Sequence, residues 1–167
     1  EVKLIVGYQT DTDDVLGIFN SSNILYSYNT DLLLKNLKEG NISIGPFEQK
    51  FHYYSTKAIN QRSKGINMDN FHTVTLHNCS VLSSGKYDSH FLIDDIIKTI
   101  HKIDKTKDFR QNEIIDQWRN VNVENFEYIN LKLDVSSGFF VRQFVRDLSE
   151  KYKVKLMCYD IHRINLY

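Results

Sequence analysis

Between Leu131 and Leu148 the hydrophobic period changes from that of a strand to that of a helix. Leu131 to Val135 is a β-type run. Ser136, Ser137 and Gly138 follow as a small-residue turn, and Val141, Phe144, Val145 and Leu148 then recur at helical spacing. A chain that switches period over so few residues must fold a strand straight into an amphipathic helix. The helix predicted here carries Arg142 and Arg146 four residues apart, on one face. Like charges so placed repel by a few tenths of a kcal/mol. Arg142 also falls near the helix start, where the dipole disfavours a cation. An anion should therefore compensate, and a guanidinium just past a Gly-containing turn suits a carboxylate or a phosphate. The plainer alternative is a surface arginine paired with a nearby acid.

One candidate anion lies early in the chain, where Asp11, Asp13 and Asp14 crowd a single turn. A calcium loop is excluded by pattern. Counted from Asp11, the sixth and twelfth positions are Leu16 and Ser22, where an EF-hand needs Gly and Glu. Two readings stay open: a hairpin whose Asp and Thr side chains satisfy turn amides, or a carboxylate that meets Arg142. The second predicts that one of these three carboxylates approaches Arg142 in the fold, and the choice among them stays open on spacing alone.

The other elements follow from periodicity and punctuation. Val2 to Val6 and Val15 to Phe19 are predicted strands. Asn29 or Thr30 can cap a helix through Leu37 that Gly40 stops. Gly45-Pro46 breaks the chain before an aromatic segment, Phe47 to Tyr54, and Asn60 to Asn70 is a polar loop. His72 to Leu82 is a strand turned by Ser83-Ser84-Gly85. Ile93 to Ile103 and Ile114 to Trp118 form an insertion-like helical pair within 88–120. Phe126 to Val135 is a central strand and Leu156 to Ile164 the last. Strands and helices do not alternate regularly. The expected class is therefore α+β, a mixed and largely antiparallel sheet with flanking helices.

Composition narrows the function. The 167 residues suffice for one domain with a core, and Lys+Arg 21 balances Asp+Glu 21. A formal charge of zero does not advertise nucleic-acid binding, although a local basic patch can still form. Cys79 and Cys158 have neither metal-type nor disulfide-framework spacing, and a reducing cytoplasm is the simplest setting. No apolar run reaches transmembrane length. The six histidines show no zinc spacing, and neither a phosphate loop nor a Gly-x-Ser-x-Gly elbow occurs.

The stretch Ser136-Ser137-Gly138-Phe139-Phe140-Val141-Arg142-Gln143-Phe144-Val145-Arg146-Asp147-Leu148 resembles the C-terminal catalytic motif of TruB-type tRNA pseudouridine synthases. That family has Ser-x-Gly-Thr-Tyr-Ile-Arg followed by Asp-Leu-Gly-Glu. Three further stretches match in order: Gly7-Tyr8-Gln9-Thr10-Asp11-Thr12-Asp13-Asp14 with Gly17, Phe47-Glu48-Gln49 with Tyr54-Ser55-Thr56-Lys57, and Asp108-Phe109-Arg110-Gln111.

The resemblance implies a pseudouridine synthase-like fold and isomerisation of a T-loop uridine in tRNA, with no metal and no cofactor. It implies Asp14 and Arg142 as supporting catalytic residues, and Phe140, Ile161, Tyr54 and Lys57 as substrate-binding residues. Phe140 stands where the family usually has Tyr, so the ring is kept and the hydroxyl lost. Ile161 stands where the family has a pocket leucine, and the family's prolines before Tyr54 are absent. The family's essential aspartate belongs to a Gly-x-Leu-Asp-type motif that residues 1–167 do not contain. The expectation is thus a partial catalytic domain, a cytoplasmic monomer that meets the T-arm of tRNA and is inactive by itself. Arg142, Arg146, Lys151, Lys153 and Arg163 cluster late in the chain and should supply salt-sensitive RNA affinity. The rival is a non-catalytic RNA-binding or structural module derived from the same fold.

Overall fold

The computed structural model describes residues 1–20, 27–49, 63–65 and 72–164. In chain order the elements are β1 (Val2–Val6), α1 (Ser27–Lys38), β2 (Gly45–Gln49), β3 (His72–Asp88), α2 (Ser89–His101), α3 (Gln111–Arg119), β4 (Asn125–Val135), α4 (Val141–Tyr152) and β5 (Leu156–Ile161). The strands form one sheet in the order β2-β3-β4-β1-β5, and every neighbouring pair is antiparallel. The α+β class expected from the sequence is the one observed, but the sheet is antiparallel at every strand pairing and not mixed as expected.

β1 lies between β4 and β5 and needs partners on both edges and both faces. Val2, Leu4 and Val6 point to one face and join Ile129, Leu131, Leu33, Leu37, Phe144, Val145 and Leu148 in one core. Ile5 points to the other and joins Phe126, Met157, Leu92, Ile96, Ile100, Ile114, Ile115 and Trp118. The two stripes of the expected helical pair therefore meet each other and the sheet, and α2 and α3 form the second helical layer. Asp88 starts α2 by accepting the Phe91 N–H at 3.1 Å, which satisfies one of the free amides at a helix start.

Two element assignments are corrected as well. Val15 to Phe19 is not a strand, because side chains take the amides a ladder would use. Leu16 N–H donates to Asp14 Oδ1 at 3.0 Å, Ile18 N–H to Asp11 Oδ1 at 2.9 Å and Phe19 N–H to Gln117 Oε1 at 2.6 Å. Only isolated bridges remain there among the described residues, Thr10 with Phe19 and Asp14 with Cys158. Ser83-Ser84-Gly85 is not a turn either. β3 runs through it and stays in ladder with β4 as far as Asp88 opposite Asn125. A register shift between Val81 and Ser83 absorbs the extra residue. Asn130 Nδ2 donates to Ser83 Oγ at 2.9 Å. A Cβ at Gly85 would lie 3.2 Å from the Tyr128 ring, so the missing side chain admits that ring.

Smaller differences sit at element ends. α1 begins at Ser27, before the expected caps, and β5 ends at Ile161 rather than Ile164. Most of the Asn60 to Asn70 segment, the end of the aromatic segment, and both Tyr54 and Lys57 lie outside the described residues. No helix among the described residues is long and apolar enough to cross a membrane.

Trp118 is fully buried, and its indole N–H donates to the Val15 carbonyl at 3.0 Å. Trp118→Ala should destabilise the chain by about 3–5 kcal/mol. Trp118→Phe should cost about 1–3 kcal/mol, because the Val15 carbonyl then loses its donor. Urea unfolding with an unchanged m-value checks both.

Candidate functional site

The turn after β1 is built by its own side chains. Thr10 Oγ1 accepts the Asp14 N–H at 3.1 Å, and Thr12 Oγ1 donates to Asp14 Oδ1 at 2.6 Å. Gly17 lets the chain fold back onto these groups: a Cβ there would collide with Thr12 Oγ1 and lie 2.7 Å from Asp11 Oδ1. The Cys158 N–H donates to the Asp13 carbonyl at 2.9 Å, and the Val15 N–H to the Cys158 carbonyl at 3.0 Å. The turn is thereby stitched to β5. Asp13 takes a left-handed φ of 61°, a conformation that Asp tolerates better than most side chains.

Each of the three carboxylates meets a different arginine. Asp14 Oδ2 accepts Arg142 Nη1 at 3.2 Å, across 128 residues of sequence. Asp13 is gripped by two nitrogens of Arg146, Nε at 3.1 Å and Nη2 at 2.8 Å. Asp11 is gripped by two of Arg110, Nη1 at 2.7 Å and Nη2 at 3.3 Å. Both readings of the acidic turn are therefore present together, since the same side chains satisfy turn amides and hold arginines. The compensating anion expected for the Arg142/Arg146 pair is a pair of neighbouring aspartates.

The three pairs differ in character. The Asp13 side chain is 1% exposed against 37% for Arg146, so a sealed carboxylate meets a cation that reaches water. The Asp11 pair is more open. Burial raises the Asp11 pKa, but the Arg110 and Ile18 hydrogen bonds and the Arg110 charge outweigh it, and the carboxyl sits below its ordinary value. Cys158, beneath the turn, is a buried thiol whose pKa is raised first by burial and then by the Asp14 charge.

The remaining expected site residues occupy separate places. Phe140 is the N-cap of α4 and lacks a capping side chain. Gln49 bonds both of its backbone polar groups, and the His72 ring meets the Phe140 ring edge-on at 5.3 Å. Ile161 ends β5 opposite Val2 and packs against the core shared with α1 and α4. Lys151, Lys153 and Arg163 are exposed, whereas Arg146 is turned into the Asp13 pair. Among the described residues no group of three or more His, Cys, Asp or Glu could hold a metal ion.

Sequence reasoning missed the Asp13–Arg146 and Asp11–Arg110 pairs, the Gln49 bonds and His72. One signal was available for the first: two arginines one helical turn apart need two anions, and Asp13 and Asp14 are adjacent. Compared with known proteins, the chain matches no family model and no curated protein.

Arg146→Met should cost about 3–5 kcal/mol, since it leaves a buried carboxylate without its cation. Asp13→Gly should cost much less, because glycine accepts the left-handed φ and Arg146 can turn to water. The double variant should recover most of the Arg146→Met loss in a double-mutant cycle of chemical denaturation.

Proposed function

We propose that the chain is the central and C-terminal part of a TruB-like pseudouridine synthase catalytic domain, acting as a monomer on a T-loop uridine of tRNA. The observation that carries this reading is the Asp14–Arg142 ion pair, which joins the Thr-Asp-Thr turn to the helix after the Ser-Ser-Gly turn. Those are the two most specific of the four matching stretches.

The reaction detaches uracil from C1′ of its ribose, turns it and rejoins it through C5. The base must first leave its stack, at a cost of a few kcal/mol. Phosphate and apolar contacts offset that cost. Arg142 suits the phosphate, because Asp14 takes its Nη1 while, among the described residues, Nε and Nη2 remain to form a fork. The resemblance assigns contacts with the pyrimidine to Phe140, Ile161 and Tyr54 and with the RNA to Lys57. The fold supports no shared wall, since Phe140 is held at the β2–β3 edge and Ile161 lies on β5 at the other edge of the sheet. Asp11, Asp13 and Asp14 are each committed to an arginine. An acid held as a stabilised anion is a poor nucleophile. The resemblance places the attacking carboxylate in a Gly-x-Leu-Asp-type motif that residues 1–167 do not contain, and we assign it to a segment outside them. No metal or organic cofactor takes part in this scheme.

One observation favours the second reading, a non-catalytic RNA-binding or structural module. Three arginines around the turn are neutralised by three aspartates, which lowers the field available to an RNA backbone.

Residues 1–167 alone should form no pseudouridine in a T-arm hairpin. A longer natural protein containing them should turn over, and Arg142→Lys in it should lose at least about tenfold in rate, because an ammonium cannot form a bidentate fork. Turnover by residues 1–167 alone would overturn the assignment of the carboxylate. Absence of turnover by the longer protein would favour the module.

A further inference from the structure

We infer that Gln49 is a positioning residue for Arg142, an inference that rests on the proposed role of Arg142 as the phosphate contact. Gln49 is the last residue of β2 and is 2% exposed. Its side-chain amide is spent on one distant residue. Oε1 accepts the Phe140 N–H at 2.9 Å, and Nε2 donates to the Phe140 carbonyl at 3.2 Å. A neighbouring strand residue would exchange the same two bonds, so the side chain acts as a one-residue strand beside Phe140.

Phe140 is where α4 begins. Its carbonyl also accepts the Phe144 N–H at 3.1 Å, which closes the first helical turn. Holding Phe140 therefore fixes where the helix starts and in which direction its first turn faces. Arg142 is two residues on, with only part of its guanidinium tied to Asp14. The hold is reinforced from β3. Gln49 pairs with His72 in the β2–β3 ladder, and His72 Nε2 lies 3.1 Å from the Gly138 carbonyl in the turn before α4. The β2–β3 edge thus sets the start of α4, and Asp14 sets the tip of one of its side chains.

The site needs a donor and an acceptor on one planar group. Glutamine supplies both, and so does a protonated glutamic acid, whereas an ionised glutamate supplies only acceptors. That difference separates positioning from simple packing. In Gln49→Glu the second carboxylate oxygen would face the Phe140 carbonyl when ionised and donate to it when protonated. Gln49→Met fills similar volume and does neither.

The test follows the Arg142 Nε–H signal by NMR in the ligand-free chain, together with affinity for a T-arm hairpin. Gln49→Met should move the signal to the position of a freely rotating arginine and weaken the hairpin about tenfold. In an Arg142→Ala background the same change should weaken it less than about twofold, because coupled residues are non-additive. Gln49→Glu should behave like Gln49→Met at about pH 8 and regain the wild-type signal below about pH 5. The wild type, which retains His72, is the control over that range. Should Gln49→Met not fold, the pH response of Gln49→Glu decides alone. A signal that stays in place in Gln49→Met, or a loss in Gln49→Glu that acid does not reverse, overturns the inference. Hairpin affinity indifferent to Arg142→Ala defeats the phosphate reading instead, and the NMR signal still decides on Gln49.

Discussion

Charge neutralisation in a space of a few ångströms is the constraint on which the rest of the structure depends. Two arginines one helical turn apart and three aspartates in one short turn are each unfavourable alone. Brought together they become the pairs Asp14–Arg142 and Asp13–Arg146, with Asp11 left for Arg110. The buried Asp13 carboxylate makes this an obligation, because a charge withdrawn from water must be paired. The start of the chain, the α2–α3 layer and α4 are tied to one turn by it.

The sheet makes that meeting possible. β1 sits between β4 and β5, so the turn that leaves β1 emerges beside Cys158 of β5 and takes backbone bonds from it. β4 delivers the chain to the turn before α4, and the α4 stripe of Phe144, Val145 and Leu148 packs on the same face as Val2, Leu4 and Val6. Arg142 and Arg146 are the polar flank of a helix whose apolar flank is already placed. Function, in the proposed reading, uses what neutralisation leaves over. Arg146 is closed by a two-nitrogen grip, while Arg142 is held by one nitrogen.

Much of this was legible in the residues. Both helical stripes of the second layer, the central strand, the switch from Val135 into α4 and the meeting of the acidic turn with Arg142 follow from periodicity and charge, whereas the choice of Asp14 within that turn comes from the family resemblance. The failures share one cause, which is that side chains can replace backbone partners. Val15 to Phe19 has strand composition, yet Asp11, Asp14 and Gln117 take its amides. Ser83-Ser84-Gly85 has turn composition, yet Asn130 and Tyr128 hold it in register. Gln49 bonds to the backbone of Phe140 over 91 residues of sequence, and no local pattern announces such a contact. Arg146 looked like part of a basic RNA-facing group because sequence shows that a charge is present and not what faces it.

The central claim is that Arg142 offers a usable fork to an anionic RNA backbone and Arg146 does not. The most direct measurement is the salt dependence of T-arm hairpin binding by residues 1–167. Arg142→Ala should reduce the slope of log K against log salt by about 0.7–0.9, the share of one phosphate contact. The stability-matched double variant Asp13→Gly/Arg146→Met should leave the slope unchanged. An unchanged slope in Arg142→Ala together with a reduced one in the double variant would contradict the claim.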